Sequence, residues 1–528
     1  MKWIVLGENK GKINLVSKRE KKGERGGLLP KGSYLTVEKG ETKFILRVDD
    51  SKQNEPYSPS PMIVDMELSP LKQDQKCQNI ISAYRVKDKS NREDGLIDYI
   101  EPQLTARRSN QDEVDIAMEQ LDQGPEVFPA TVHGGKNQLL VDEGGNFITA
   151  KLPIDMFFHQ TLVCGKTGSG KTVALKYLAQ YFIEELEGAV LAINVKDVDF
   201  LKMDKPSVAK NPNILKEWEM LDEDSRGIDN FTIYYPSNTS ISPSKNVTRD
   251  ICNNITLNVE TIDPNALTGL LKGISDVGAR SLPDIFRYWK EVYVEENNEE
   301  HTFRNFYDYM DERSEDRWFM TLSERGEQGN IDLHPGTYRN VMRNLNSALD
   351  FFDNVGADTI DETDILIPGK MSVIDVTGSE SGVEFGSILL RDLLSSIVDA
   401  KSKERSKVPI LIIIDEVHWF YGSEESKEAL GDLDVICRTG RSQEIGVIFS
   451  SQNPSDIPSG LTRVINTKIF FRSDSRTARK HGLNISNQEM ESLRKGYAVA
   501  NIHDMSQLKF LKFPLAFAGV FEEDKDEL

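Results

Sequence analysis

Short runs in which apolar and polar positions alternate occupy the first part of the chain, with turn-forming clusters between them. Tyr34-Leu35-Thr36-Val37, Lys43-Phe44-Ile45-Leu46-Arg47-Val48 and Gln138-Leu139-Leu140-Val141 read as strands. Leu29-Pro30-Lys31-Gly32-Ser33, Glu38-Lys39-Gly40 and Glu143-Gly144-Gly145 read as the turns that separate them. Residues 1–145 are therefore expected to form a small β-barrel or sandwich, with the polar stretches 49–80 and 100–125 as loops or an inserted helix. From about residue 150 the period changes. Runs that are apolar on both faces at 157–164, 189–195, 371–376, 408–414, 445–450 and 467–471 alternate with helical stretches such as 386–402. Strands buried on both faces belong to a parallel sheet covered by helices on each side, so the fold class expected is α/β. After the first of these runs, Leu175, Leu178, Phe182 and Leu186 follow one another at offsets of 3, 4 and 4, the apolar stripe of a helix. Residues 201–370 interrupt the sheet pattern with an acidic, mostly helical insertion, and its five glutamates between 291 and 300 read as a solvated face.

Composition narrows the class. At roughly 150 residues per domain, 528 residues make two to four folding units. With 64 Lys and Arg against 85 Asp and Glu, the net charge is −21, which excludes a protein that coats polyanions through bulk positive charge. Contact with nucleic acid would have to come from local basic loops. The four cysteines, Cys77, Cys164, Cys252 and Cys437, lie far apart without a CxxC pair, so neither a zinc ribbon nor a disulfide framework is indicated. The dispersed histidines have no spacing suited to metal ligation. The apolar stretch near the N-terminus is about five residues long, shorter than the roughly 7 to 15 of a secretion signal, and a cytoplasmic location is expected, with no membrane partner. On that expectation the terminal Lys525-Asp526-Glu527-Leu528 and the sequons at Asn238, Asn246, Asn254 and Asn484 carry no message.

Chemistry enters at Gly165-Lys166-Thr167-Gly168-Ser169-Gly170-Lys171-Thr172, which matches G-x-x-x-x-G-K-[ST] between an apolar strand and an amphipathic helix. Glycines in such a loop let backbone N–H groups turn inward around phosphate oxygens, and the helix N-terminus adds partial positive charge. Lys171 is expected to bridge the β- and γ-phosphates of ATP, and the Thr172 hydroxyl to ligate Mg²⁺. Ile410-Leu411-Ile412-Ile413-Ile414-Asp415-Glu416 has the form of a Walker B strand, placing Asp415 to hold Mg²⁺ and Glu416 to orient and deprotonate the attacking water. The second carboxylate indicates a hydrolase rather than a small-molecule kinase. Gln452, 37 residues beyond Asp415 at the end of the next strand, is placed to sense the γ-phosphate. Between those strands, Arg438 and Arg441 are both candidates for an arginine finger acting in trans on a neighbouring subunit, and the residues leave the choice open.

The order of these motifs, with MSVIDVTG before the Walker B strand, DEVHWF after it, and then RTGRSQEIGVIFSSQNPSDI and NTKIFFR, resembles the HerA/FtsK superfamily of ring ATPases, closest to HerA. The resemblance covers roughly residues 1–525. It implies a HAS-barrel at 1–145, a RecA-like P-loop NTPase core drawn from 146–200 and 371–505, the insertion at 201–370, and a C-terminal brace at 506–528. It further implies a homohexamer threading double-stranded DNA and coupled, through the barrel, to a NurA-like nuclease or to a defence effector such as an NAD hydrolase. One departure is Asn194-Val195-Lys196-Asp197, where relatives more often carry an Asp-Pro-Lys-Gly-like turn.

Two basic segments are candidates for phosphate contact. Arg472, Arg476, Arg479 and Lys480 stand against the single acid Asp474, and residues 1–40 hold ten Lys or Arg against four acids, with a polybasic loop at 18–25. Either could instead be a solvated surface. His418 and Trp419 follow the Walker B strand as a packed aromatic corner or as a link to the ring interior. The function expected is an ATP-dependent DNA motor; the alternative is a ring scaffold ATPase that organises a separate effector enzyme with little translocation.

Overall fold

The computed structural model describes residues 3–9, 11–17, 28–54, 78–89, 99–118, 122–133, 136–196, 200–239, 247–270, 276–377, 380–420, 433, 436, 440–453, 455, 464–505 and 507–521. Two compact units result, the first from Met1–Ile154, Gly168–Gly170 and Ile469–Pro514, the second from Asp155–Thr167, Lys171–Lys468 and Leu515–Leu528.

In the first unit, β1 (Trp3–Asn9), β2 (Lys12–Ser17), β3 (Tyr34–Lys39), β4 (Thr42–Asn54), β5 (Gln78–Lys89) and β6 (Thr105–Arg108) form a closed barrel in the order β1-β2-β5-β4-β3-β6. Antiparallel pairing of Trp3 with Ala106 and Ile4 with Thr105 makes the closure. Period-two alternation turns Trp3, Val5, Leu35, Val37, Phe44 and Leu46 inward, all buried. Six strands close only if some bend sharply. Register shifts at Val5/Gly7 in β1, at Val48/Asp50 in β4, and in β5 opposite Ile45/Leu46 supply the bends. Of the two architectures left open by the pattern, the barrel is the one formed. A helix does occur within 100–125, at Gln111–Ala117, started by a capping box between Asn110 and Glu113. The unit also contains β7 (Glu126–His133), β8 (Lys136–Leu139) and β9 (Ala150–Lys151), with β20 (Tyr497–Asn501) and β21 (Phe510–Lys512) completing the order β20-β21-β7-β8.

The second unit is built on a parallel sheet of β10 (Thr161–Cys164), β11 (Ala189–Asn194), β12 (Phe231–Pro236), β13 (Cys252–Ile255), β16 (Met371–Asp375), β17 (Ile410–Ile414) and β18 (Ile445–Ser451). Their order is β13-β12-β16-β11-β17-β18-β10, and every pairing in it is parallel. All residues of β11, β16, β17 and β18 are buried, as their apolar runs require. β19 (Thr467–Phe470) crosses the residue boundary between the units.

Three sequence expectations are corrected here. The run 157–164 is not one strand: Asp155–Phe158 is a helical turn, Gln160 takes φ 56°, and β10 begins only at Thr161. Packing overrides pattern at this point, because Phe157 and Phe158 set their rings edge-on to Phe182 at 5.2 and 6.0 Å. The helix carrying the apolar stripe spans Lys171–Glu184 and stops before Leu186. Its end is fixed by Gly188, whose N–H donates to Phe182 O at 3.1 Å and whose position would bring a β-carbon within 2.2 Å of the Phe182 ring. The stretch 201–370 does more than interrupt the sheet, since Phe231-Thr-Ile-Tyr-Tyr-Pro forms β12 beside β16 and carries β13 on its outer side. The remainder is helical, with the hairpin β14 (Trp318–Leu322) and β15 (Gln328–Asp332) and a core of Phe286, Trp289, Phe303 and Phe306. Glu295, Glu296, Glu299 and Glu300 are exposed.

Residues 507–521 are not a free tail. β21 pairs with β7 in the first unit, while in the second Trp218 Nε1 donates to Leu515 O at 2.9 Å and Lys176 Nζ to Gly519 O at 2.8 Å. Phe517 lies edge-on to Tyr177 and Trp218. Residues 522–528 fall outside the described residues.

Candidate nucleotide site

In open parallel sheets ligands collect at the C-terminal ends of the strands, and five strand ends converge here. β10 runs into the glycine-rich loop, where Gly165 N–H donates to Ser451 O at 3.2 Å, tying the loop to the end of β18. Gly168 and Gly170 take φ of 73° and 106°, values in the left-handed region that side chains resist. Lys171 then opens its helix, 8% exposed, with Nζ donating to Gly165 O at 2.8 Å. The ammonium is thereby held at the mouth of the loop. Lys166 and Thr167 are exposed, Thr172 is half-buried, and the Ser169 hydroxyl is buried without a hydrogen-bond partner among the described residues.

Asp415, one residue past β17, is 6% exposed, and burial pushes its carboxyl above the usual range, with Glu416 adding to the rise and Lys171 opposing it. Its Oδ1 accepts the Glu416 N–H at 3.0 Å. Glu416 is 5% exposed and sits at φ 45°, a left-handed conformation for a residue with a full side chain. Gln452 joins this carboxylate to the loop: its Nε2 donates to Glu416 Oε1 at 2.7 Å, and its Oε1 accepts the Thr167 hydroxyl at 3.1 Å. Glu416 Oε2 has no hydrogen-bond partner among the described residues, and His418 Nδ1 lies 3.6 Å away. An acceptor left open in a buried carboxylate is what a base for an incoming water requires.

One further pair was not read from the sequence. At the ends of β11 and β16, Asn194 Nδ2 donates to Asp375 Oδ1 at 3.0 Å, and burial pushes the Asp375 carboxyl up. Each residue closes an apolar run, and the parallel register pairs those two positions. That coincidence of polar strand ends was the available signal.

The remaining candidates are dispersed. Arg441 lies four residues before β18, whose other end meets the loop. At about 3.3 Å per residue, that separates it by roughly 20 Å from the phosphate loop of its own chain. It pairs with Asp155 at 3.5 Å, both side chains more than half exposed. Arg438 and Asp197 lie outside the described residues, as does the polybasic loop 18–25, and Lys196 is exposed. Trp419 is 44% exposed, which rules out the packed-corner reading for that ring. Arg472, Arg476, Arg479 and Lys480 are exposed and interleave along the chain with the buried Ser473, Ser475 and Ala478. Among the described residues no group of three His, Cys, Asp or Glu could hold a metal unaided. The donor set nevertheless fits Mg²⁺, which characteristically takes one or two protein ligands and completes its shell with water and substrate phosphates.

A buried P-loop lysine beside an Asp-Glu pair at the C-terminal edge of a parallel sheet is the arrangement of a RecA-like P-loop nucleotide-binding fold. Residues 139–391 match the family described as "Helicase HerA, central domain". The chain is 26% identical over 204 residues to the DNA double-strand break repair helicase HerA of Saccharolobus solfataricus, covering 37% of this chain and 40% of that protein. It is 32% identical over 98 residues to the protein of the same name from Pyrococcus furiosus, covering 17% and 18%. The chain thus matches well under half the length of these relatives. Among solved structures, the conjugative coupling protein TrwB aligns at TM-score 0.45 and 13% identity, over 79% of this chain and 95% of that one. VirB4 of Thermoanaerobacter pseudethanolicus aligns at TM-score 0.44 and 13% identity, over 74% and 97%. Through residues 139–391, just under half of its length, the chain is thus similar to the HerA-type ATPases.

Proposed function

We propose that the chain hydrolyses ATP with Mg²⁺ and uses the energy to move double-stranded DNA. The observation that carries this reading is the hydrogen-bonded line Thr167–Gln452–Glu416, which joins the phosphate loop to the candidate base. Lys171 and the loop N–H groups bind and orient the triphosphate, and Thr172 and Asp415 would hold the metal, which supplies charge neutralisation at the phosphates. Glu416 accepts the proton of the attacking water on its open oxygen. Gln452, bonded to both sides, registers whether the γ-phosphate is present and passes that state to the segment that follows it.

Arg441 is out of reach of its own phosphate loop, so a finger role for it needs a second copy of the chain; Arg438 is the other residue proposed for that role in trans. The assembly proposed is a homohexamer in the cytoplasm, with the exposed Arg472, Arg476, Arg479 and Lys480 following DNA phosphates. The barrel is the proposed dock for a nuclease or an NAD-hydrolysing effector in end processing or anti-phage defence.

The test measures hydrolysis with and without linear duplex DNA across sized fractions. Stimulation by duplex confined to the oligomer supports the reading, and hydrolysis indifferent to DNA overturns it. Replacing Arg476 or Arg479 by Ala should lower the slope of log affinity against log salt by about one each.

A further inference from the structure

Away from the phosphate loop, the first unit contains a half-open recess of about 330 Å³ between the barrel and the strands β20 and β21. Its polar wall carries Lys31, Arg47 and Lys509 against a single carboxylate, Asp49. Asp49 is itself shared, lying 2.9 Å from Lys12 and 3.9 Å from Lys31, and Lys31 reaches Glu489 at 3.5 Å. Lys509 donates to Asn484 O and Arg47 Nη1 to Gln507 O at 2.5 Å, bonds that hold both cations in place on the wall. Burial lowers the Lys509 ammonium below the ordinary lysine value, and the fields of Lys31 and Arg47 push the same way, while Glu489 and Asp49 oppose them. Three cations crowded at one recess repel each other, and a bound oxyanion would relieve that repulsion. The rest of the lining includes the apolar Leu483, Met505, Leu508 and Phe510.

We propose that this recess binds a small phosphate monoester with an apolar or aromatic body, a nucleoside monophosphate being of suitable size and charge. The lining charge of three cations less one carboxylate is +2, which matches a phosphate dianion. An arginine fork beside two lysines suits phosphate better than a lone carboxylate, and the apolar part of the lining takes the organic body. A recess of about 330 Å³ suits a small molecule better than a duplex, whose phosphates need an extended track.

The test is titration calorimetry of AMP, inorganic phosphate and a short duplex against the full chain carrying Lys171→Ala, which silences the phosphate loop. Saturable one-to-one binding of AMP, tighter than inorganic phosphate, is expected. Lys509→Gln and Lys31→Glu should each weaken it about ten- to hundredfold, as loss of a charged hydrogen bond implies. A melting temperature unchanged without AMP, but no longer raised by it, shows that the variants fold and have lost the site. Absence of saturable AMP binding, AMP affinity untouched by both variants, or variants that weaken duplex binding alone would each overturn the proposal.

Discussion

Two buried glutamates set the two units apart. Glu113 in the first unit is 2% exposed and Glu416 in the second 5% exposed. Glu113 has every lone pair engaged: Arg107 Nη1 and Nη2 at 2.8 and 2.5 Å, the Thr36 hydroxyl at 2.8 Å, the Asn110 N–H at 3.1 Å and Lys43 at 3.3 Å. Burial would raise its pKa, but these partners, Arg107 foremost, pull it down to about 2. Among the described residues, Glu416 accepts one side-chain hydrogen bond, from Gln452, and keeps its other oxygen open. The same side chain is a structural tie when saturated and a reactive group when left short of donors.

Four measurements can break or sharpen that contrast. Glu416→Gln keeps the shape and removes the base, so hydrolysis should fall by about a thousandfold; residual turnover near wild type would remove Glu416 from the mechanism. Gln452→Ala cuts the line between loop and base, and an expected loss of about ten- to hundredfold in kcat, with KM for ATP little changed, separates positioning from binding.

Arg107→Ala strands a buried carboxylate and should cost about 2 to 4 kcal/mol in urea unfolding of the barrel, while Glu416→Gln stays within about 0.5 kcal/mol of wild type. The third outcome has a pH signature. Because the folded pKa of Glu113 lies below its unfolded value, the stabilisation is complete above about pH 5 and lost as pH falls towards 2. The stability gap between wild type and Arg107→Ala should therefore shrink across that window, and a gap independent of pH would dissociate Glu113 from the effect.

The contrast also marks what could be read from the chain alone. Lys171, Asp415, Glu416 and Gln452 are legible because each belongs to a contiguous motif or closes an apolar strand, and parallel topology brings strand ends together. A barrel was expected in the first 145 residues, but which strands close it was not legible, since closure rests on Trp3 meeting Ala106 across about a hundred intervening residues. Nor was the helical turn at Asp155–Phe158, where two phenylalanines serve a helix face instead of a strand. Arg107 and Glu113 share no motif in the sequence; only the fold brings them together with Thr36. β12 was hidden by the acidic, helical composition around it, although Phe231-Thr-Ile-Tyr-Tyr on its own has strand character.

The backbone at Glu416 has a cost of its own. Holding a non-glycine residue at φ 45° stores on the order of 1 kcal/mol or more. Glycine there would relax the turn and discard the carboxylate. A directed-evolution campaign selecting only for heat tolerance should therefore enrich an inert protein at this codon, and engineers seeking a hardier motor would do well to look for their gains elsewhere.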